Sequence, residues 1–214
     1  MAYSFPEGAK LYFSTTLATA KTVSAVTNAN PAVASSTAHG YIDGDELLFT
    51  SGWEDATDTI FRADQLTADT FGLTGLDTSN TTYFAAGGGV GTTQKISSWL
   101  EIPQVLGIST SGGDARFTDV APLAKRNGIR VPTGFNPLAL TIEMGHDASN
   151  ANYQSMLSIS RGLSKVAFKL VLSGGATNYG YGYMSVSEVP SLNANQANKV
   201  SAAITFLGRS ISYA

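Results

Sequence analysis

Punctuation constrains this chain more than any other feature. Glycine, proline, asparagine, aspartate and serine interrupt it about every eight to twelve residues, and the segments between them suit strands better than helices. The first is "KLYFSTTL" (10–17), followed by "KTVSAVT", "AVASST", "GDELLFTSG", "IFRADQLTADTFGLTGL", "YFAAGGGV" and "TTQKISS". "WLEIPQVLGI" (99–108) reads as a strand that Pro103 confines to an edge or a bulge. "DARFTDV" (114–120) is another, whereas 123–137, with two prolines, two glycines and a basic cluster, reads as a loop. In "LALTIEMGH" (138–146), Leu138, Leu140, Ile142 and Met144 alternate with Ala139, Thr141 and Glu143, which sets an apolar face against a polar one. "SKVAFKLVLS" (164–173), "NYGYGYMSVSEV" (178–189) and "NKVSAAITFLG" (198–208) complete the strands. Only 147–162 has helical spacing. There Tyr153, Met156 and Leu157 form the apolar stripe, Asp147 is placed to cap the start and Gly162 to make a left-handed stop.

With 214 residues and no cysteine, the chain must be held by an ordinary core; disulfides, thiolate chemistry and cysteine-ligated zinc are excluded. No apolar run reaches the roughly 18 residues of a membrane span. The opening "MAYSFPEGAK" lacks the basic-then-apolar order of a signal peptide, so a cytoplasmic origin is expected. Charge is unevenly placed. Residues 22–96 hold nine carboxylates against Arg62 and Lys95, while the remainder holds seven against eleven lysines and arginines, as expected of two modules with separate surfaces.

Four stretches invite a chemical reading. "HGYIDGDELLF" sets His39 beside Asp43, Asp45 and Glu46. A metal or acid–base site would need these groups to converge, with a second shell behind them. Asp43-Gly44 is a turn pair, so the better reading is a hairpin whose acids face water. His146 beside Asp147 reads as a helix start with a neighbouring imidazole. "AAGGGVGTT" (85–93) lacks the Lys-Ser/Thr ending of a phosphate loop and reads as a turn or strand edge. Lys125, Arg126 and Arg130 suit phosphates, acidic groups of a neighbouring subunit, or plain water. Tyr179, Tyr181 and Tyr183 share one strand face and read as packing surface, with Gly180 and Gly182 leaving room opposite. No catalytic, metal or cofactor-binding residue is assigned.

The pieces "GAKLYFSTT", "WLEIPQVLGISTSGG", "RFTDVAPLAK", "LALTIEMGHD", "ASNANYQSMLSISRG", "GYMSVSEV" and "NKVSAAITFLG", in that order, resemble the major tail tube protein of long-tailed bacteriophages with non-contractile tails. The resemblance takes in residues 1–21 and 97–214. Within 22–96, "NANPAV", "AHGYIDGDELLF", "ADQLTADTFGLTGLDTS" and "YFAAGGGV" resemble a small β domain repeated in phage structural proteins. That domain is related in pattern to the first catalytic-cysteine half-domain of ubiquitin-activating enzymes, and without a cysteine it implies no ubiquitin chemistry.

The resemblance implies a mainly β protein: a β-sandwich or barrel with one flanking α-helix, interrupted by an inserted small all-β domain at 22–96. It implies a non-enzymatic virion subunit, assembled in the host cytoplasm into stacked homo-hexameric rings that conduct DNA without binding it specifically. A tape-measure protein and tail tip and terminator proteins are the implied partners. A conduit should present small, mostly neutral side chains to DNA, because each cation on a phosphate adds affinity. Thr141, Glu143, Ser201, Ala203 and Thr205 are therefore expected toward the lumen, with Ile142, Met144, Ile204 and Phe206 filling the sandwich. Lys165 and Lys169 share a face with Ala167 and fit that assignment poorly. Lys125, Arg126 and Arg130 are expected at the contact between rings. The insert should point outward, and excising 24–94 should leave assembly intact. The main rival is an insert that binds a host-surface sugar or protein through exposed Trp53, Tyr83 and Phe84; a hydrolase using His39 and Asp43 ranks third.

Overall fold

The segments between turns form strands, and the strands sort into two large sheets and one free-standing ribbon. The computed structural model describes residues 7–124, 126–195 and 197–214. The elements in chain order are β1 (Lys10–Ser14), β2 (Lys21–Val23), β3 (Ala25–Val26), β4 (Ala32–Ser35), β5 (Glu46–Ser51), β6 (Thr59–Gln65), β7 (Thr70–Thr74), β8 (Gly91–Lys95), β9 (Leu100–Glu101), β10 (Val105–Ser111), β11 (Ala115–Val120), β12 (Ile129–Phe135), β13 (Ala139–Gly145), α1 (Ala151–Arg161), β14 (Lys165–Val171), β15 (Thr177–Val186), β16 (Lys199–Phe206) and β17 (Ile211–Tyr213). The fold is mainly β with one helix, in a nearly closed, barrel-like and sandwich arrangement.

The larger sheet runs β10-β13-β16-β15-β14-β1-β9, with β17 beside the start of β15. Its alternation buries Leu140, Ile142 and Met144 of β13 and Val200, Ala202, Ile204 and Phe206 of β16 with Leu11, Phe13, Val166, Phe168 and Met184. The helix closes over this core with Tyr153, Met156 and Leu157, the stripe read from the sequence. Its start differs from expectation. Asn150 is the cap, accepting from the N–H groups of Asn152 (2.9 Å) and Tyr153 (3.2 Å). Asp147 makes a separate turn, accepting from the hydroxyl (2.6 Å) and N–H (3.0 Å) of Ser149, which lower its pKa. Gly162 stays right-handed, and the positive φ falls on Leu163 at 48°.

Pro103 divides the segment 99–108 into β9 and β10. The reading of 123–137 as a loop is corrected: Ile129–Phe135 is a strand, paired with β11. Pro132 and Gly134 look like breakers. In a two-stranded ribbon, however, each strand has a free edge, and the register shifts between Arg116 and Phe117, opposite them.

The second sheet runs β2-β8-β5-β6-β7-β4-β3 around Leu47, Phe49, Trp53, Phe61, Phe71 and Leu73. "YFAAGGGV" is a turn-rich cover, not a strand. A Cβ on Gly88 or Gly89 would lie 2.8 or 2.5 Å from the Trp53 ring, so these glycines are there to let the backbone lie on the indole. The chain enters and leaves this sheet side by side: Ala18 N–H donates to Lys95 O (2.8 Å) and Ser97 N–H to Thr16 O (2.9 Å).

Candidate functional site

His39 and its acids do not converge. The imidazole is buried, edge-on to Phe71 at 5.0 Å and tilted on Tyr41 at 5.2 Å. Its Nδ1 accepts from Tyr41 N–H (2.9 Å), which leaves Nε2–H to donate to Thr67 O (3.0 Å). Asp43 accepts from Gln65 N–H (2.6 Å), while Asp45 holds Ile42 N–H (3.1 Å) and Lys95 (2.6 Å). Gly44 takes φ +83° at the turn. The expectation that the acids face water is therefore corrected for Asp45, which is buried with its lysine, and His39 belongs to the core. Among the described residues, no group of three His, Cys, Asp or Glu gathers as metal ligands.

This geometry sets an order of mutational effects. His39→Ala leaves a cavity and an unpaired Thr67 carbonyl, a cost of about 2–4 kcal/mol. A Cβ at Gly44 would meet no atom within 4 Å, so Gly44→Val bears chiefly the strain of its positive φ, about 1–3 kcal/mol. Thermal melts should rank His39→Ala as the more harmful, and a chelator should leave the parent chain unchanged. A chelator-dependent loss in the parent would overturn this assignment.

The groups that do converge lie between the two sheets. Leu48 and Ile60 of the smaller sheet pack on Ala167, Tyr179 and Tyr181 of the larger one, with Ile96 beside them. At the centre stands Glu46. It accepts from Trp99 Nε1, from Lys169 Nζ (2.8 Å) and from the Tyr179 hydroxyl (2.5 Å). Its register partner Arg62 donates to the Tyr179 hydroxyl (3.0 Å) and to Thr177 Oγ1 (2.6 Å), and lies 4.6 Å above the Tyr213 ring. The Tyr213 hydroxyl accepts from Arg62 N–H (3.0 Å) and donates to Thr74 O (2.7 Å). Two further ion pairs stitch the rim, Arg209–Asp55 (2.7 Å) and Lys165–Asp58 (3.9 Å).

Burial, reinforced by Glu46, raises the Tyr179 pKa from 10.0 to about 12. A tyrosine is neutral when protonated, so a raised folded-state value stabilises the fold fully below pH 10 and less and less as pH climbs toward about 12. The melting temperature should fall across that window, and Tyr179→Phe should flatten the fall while lowering the plateau. An identical alkaline slope in the variant would remove Tyr179 from the seam's titration.

The face of the larger sheet turned away from the helix has two halves. The smaller sheet covers the half formed by β14 and β15. The other half is open and smooth. Thr141 stands opposite Ala203, Glu143 opposite Ser201 and Ala139 opposite Thr205, with Gly107 and Ser109 of β10 continuing the rows. All five residues expected toward a lumen thus share one face. Its only carboxylate among them, Glu143, lies 3.9 Å from Lys199. Lys169 is not on the open half: it lies under the smaller sheet, 5.0 Å above the Trp99 ring.

The ribbon β11–β12 makes no ladder with either sheet. Val120, Ile129 and Val131 share one of its faces and are exposed, while on the other Arg130 pairs with Asp119 (3.2 Å) and stacks on Phe117 (5.1 Å). Arg126 is exposed at the tip. Lys125 lies outside the described residues. Of the aromatics expected on the insert surface, Trp53 and Phe84 are buried against each other at 5.2 Å, and only Tyr83 is exposed.

Arg62, Trp99, Thr177 and Tyr213 escaped the sequence reading, and Glu46 was grouped with His39 instead of with them. The signal was the uninterrupted run Leu47-Leu48-Phe49, too apolar for a strand with one wet face.

A family model described as "Phage tail tube protein, TTP" matches residues 51–214, over three quarters of the chain. No curated protein matches the sequence. Among solved structures, a chain described as the tail of an empty GTA particle with C6 symmetry is similar at 14% identity. The match covers 55% of this chain and 88% of that one, with a TM-score of 0.41.

Proposed function

The chain belongs to the phage tail tube protein family, and from that premise we propose that it polymerises as stacked hexameric rings enclosing a channel for DNA. As a member it is a structural subunit of a viral tail and not an enzyme, and its copies associate into a tube. The further detail is our reading. Residues 1–21 with 97–214 form the tube module and 22–96 an inserted one, carried on the outside of the tail. The insert resembles the phage repeat related to the first catalytic-cysteine half-domain of ubiquitin-activating enzymes. Thr141, Glu143, Ser201, Ala203 and Thr205 face the lumen. A non-contractile tail, a tape-measure protein, tip and terminator proteins and assembly in the host cytoplasm come with the same resemblance.

The family match carries the reading, and the chemistry of the open face agrees with it. A face of Ser, Thr and Ala whose one lysine, Lys199, sits 3.9 Å from Glu143 gives DNA phosphates little to hold. Electron microscopy of the purified protein tests it: rings or tubes with sixfold symmetry are expected, and monomers at all concentrations and salts would overturn it.

The tip of the ribbon is proposed as the contact between rings, through Lys125, Arg126 and Arg130. A ribbon with an exposed Val120-Ile129-Val131 face is short of cover in water, and a second copy supplies it. Replacing Arg126 and Arg130 with serine should slow tube growth at low salt and flatten its salt dependence, because screening then has less to remove. Unchanged growth by light scattering over a salt series would count against the contact.

A second reading, an insert that binds a host-surface sugar or protein, is left with Tyr83 as its one exposed aromatic of the three.

A further inference from the structure

We propose that Asn127–Gly128, at the tip of the ribbon, is a self-modifying site: Asn127 deamidates in the free subunit and places a carboxylate beside Arg126 and Arg130. The inference does not depend on the tail tube reading. This is the chain's one Asn-Gly pair; Asn136 precedes proline, and Asn150 and Asn178 precede residues with a Cβ. Both members of the pair are exposed, on a ribbon that stands apart from the two sheets.

The chemistry needs only water. The backbone nitrogen of Gly128 attacks the side-chain carbonyl carbon of Asn127. A C–N bond forms, the amide nitrogen leaves as ammonia with the proton that the Gly128 nitrogen gives up, and a five-membered imide remains. Water then opens the imide. Breaking the bond to the side-chain carbonyl gives aspartate, and breaking the bond to the main-chain carbonyl gives isoaspartate, with one extra backbone atom. Glycine matters because no Cβ hinders the attack or stiffens the backbone that must bend to reach it.

A second Xaa-Gly pair shows what the fold does to such a site when it is held. At Asp43–Gly44 the Gly44 N–H donates to Ala63 O (2.9 Å) and the Asp43 carboxylate accepts from Gln65 N–H (2.6 Å). Nucleophile and electrophile are both engaged there. Among the described residues nothing comparable holds Asn127 or Gly128. The product changes the tip electrostatically, because Asp119 already occupies Arg130 at 3.2 Å. A new carboxylate at 127 stands next to Arg126 in the chain and offsets positive charge at the exposed tip.

The full-length chain, kept at neutral and mildly alkaline pH, is sampled over time by peptide mass spectrometry with separation of aspartate and isoaspartate forms. The Asn127 peptide should convert ahead of those holding Asn136 and Asn178, with isoaspartate in excess and a rate rising in proportion to hydroxide. Gly128→Ala is a clean control. Its Cβ would meet only the Val120 carbonyl at 3.6 Å, and its φ lies outside the left-handed region. That variant should convert slower by roughly an order of magnitude, since the methyl obstructs the imide. Equal rates at Asn127, Asn136 and Asn178, or an unchanged rate in Gly128→Ala, would overturn the proposal.

Discussion

Glu46→Ala should lower the melting temperature of the full chain by about 6–12 °C, since losing one partner of a buried ion pair costs about 3 kcal/mol in a chain this size. Both partners are mostly covered: the Lys169 side chain is 19% exposed and that of Glu46 15%. Without Glu46, the Lys169 ammonium stays beneath the smaller sheet with three aromatic rings around it and no carboxylate. The Tyr179 hydroxyl and the Trp99 N–H lose their acceptor in the same step. Exposed pairs such as Lys10–Glu101, half open to water on both sides, are the contrast, and breaking them should be nearly silent. Glu46→Met with Lys169→Met should recover most of the loss, because an apolar pair of similar volume removes both desolvation costs. A Glu46→Ala melt within about 2 °C of the parent would mean that the seam is held by its apolar contacts alone.

That seam separates what the sequence discloses from what it hides. Turn chemistry and alternation are local, so Gly44 at φ +83°, the β13 alternation and the Tyr153-Met156-Leu157 stripe could all be read within a few residues. The five small-face residues were legible for the same reason, since a period of two assigns faces before any partner is known. Glu46, Lys169 and Tyr179 lie far apart in the chain, and nothing near any of them names the others. Lys169 illustrates the difficulty. Its place in the pattern was read correctly, on the face with Ala167, but what covers that face depends on a sheet formed earlier in the chain. The ribbon failed differently. Pro132 and Gly134 are strand breakers in a sheet interior and harmless in a pair of strands with free outer edges. The burial of His39 was not legible because the turn signal beside it says nothing of depth, although His39 and Tyr41, two apart, point to the same core.

Excising 24–94 and closing the gap with a short turn should give an insoluble or aggregated chain, contrary to what modular charge and turn rhythm suggest. The ends permit the closure: Leu17 bridges Ile96, so a turn between them is sterically simple. The difficulty is the face left behind. Tyr179 is 1% exposed, Tyr181 8% and Ala167 0% with the smaller sheet in place. Uncovering the two tyrosines alone returns on the order of 200 Å² of apolar surface to water, about 5 kcal/mol. That is comparable with the whole stability of a typical domain, about 5–15 kcal/mol. A bare apolar patch next to open strand edges also invites association of the wrong kind. Two explanations of a failed deletion, loss of the shared core and loss of a ring contact, give different rescues. If the core is the cause, the deletion carrying Tyr179→Thr and Tyr181→Thr should be soluble again, because β-branched polar residues suit an open strand face, and should assemble. If a ring contact is the cause, the same chain should be soluble and monomeric. A plain deletion that stays soluble, melts like the parent and forms tubes would show that the seam contributes little, and the insert would then be a passenger on the tube.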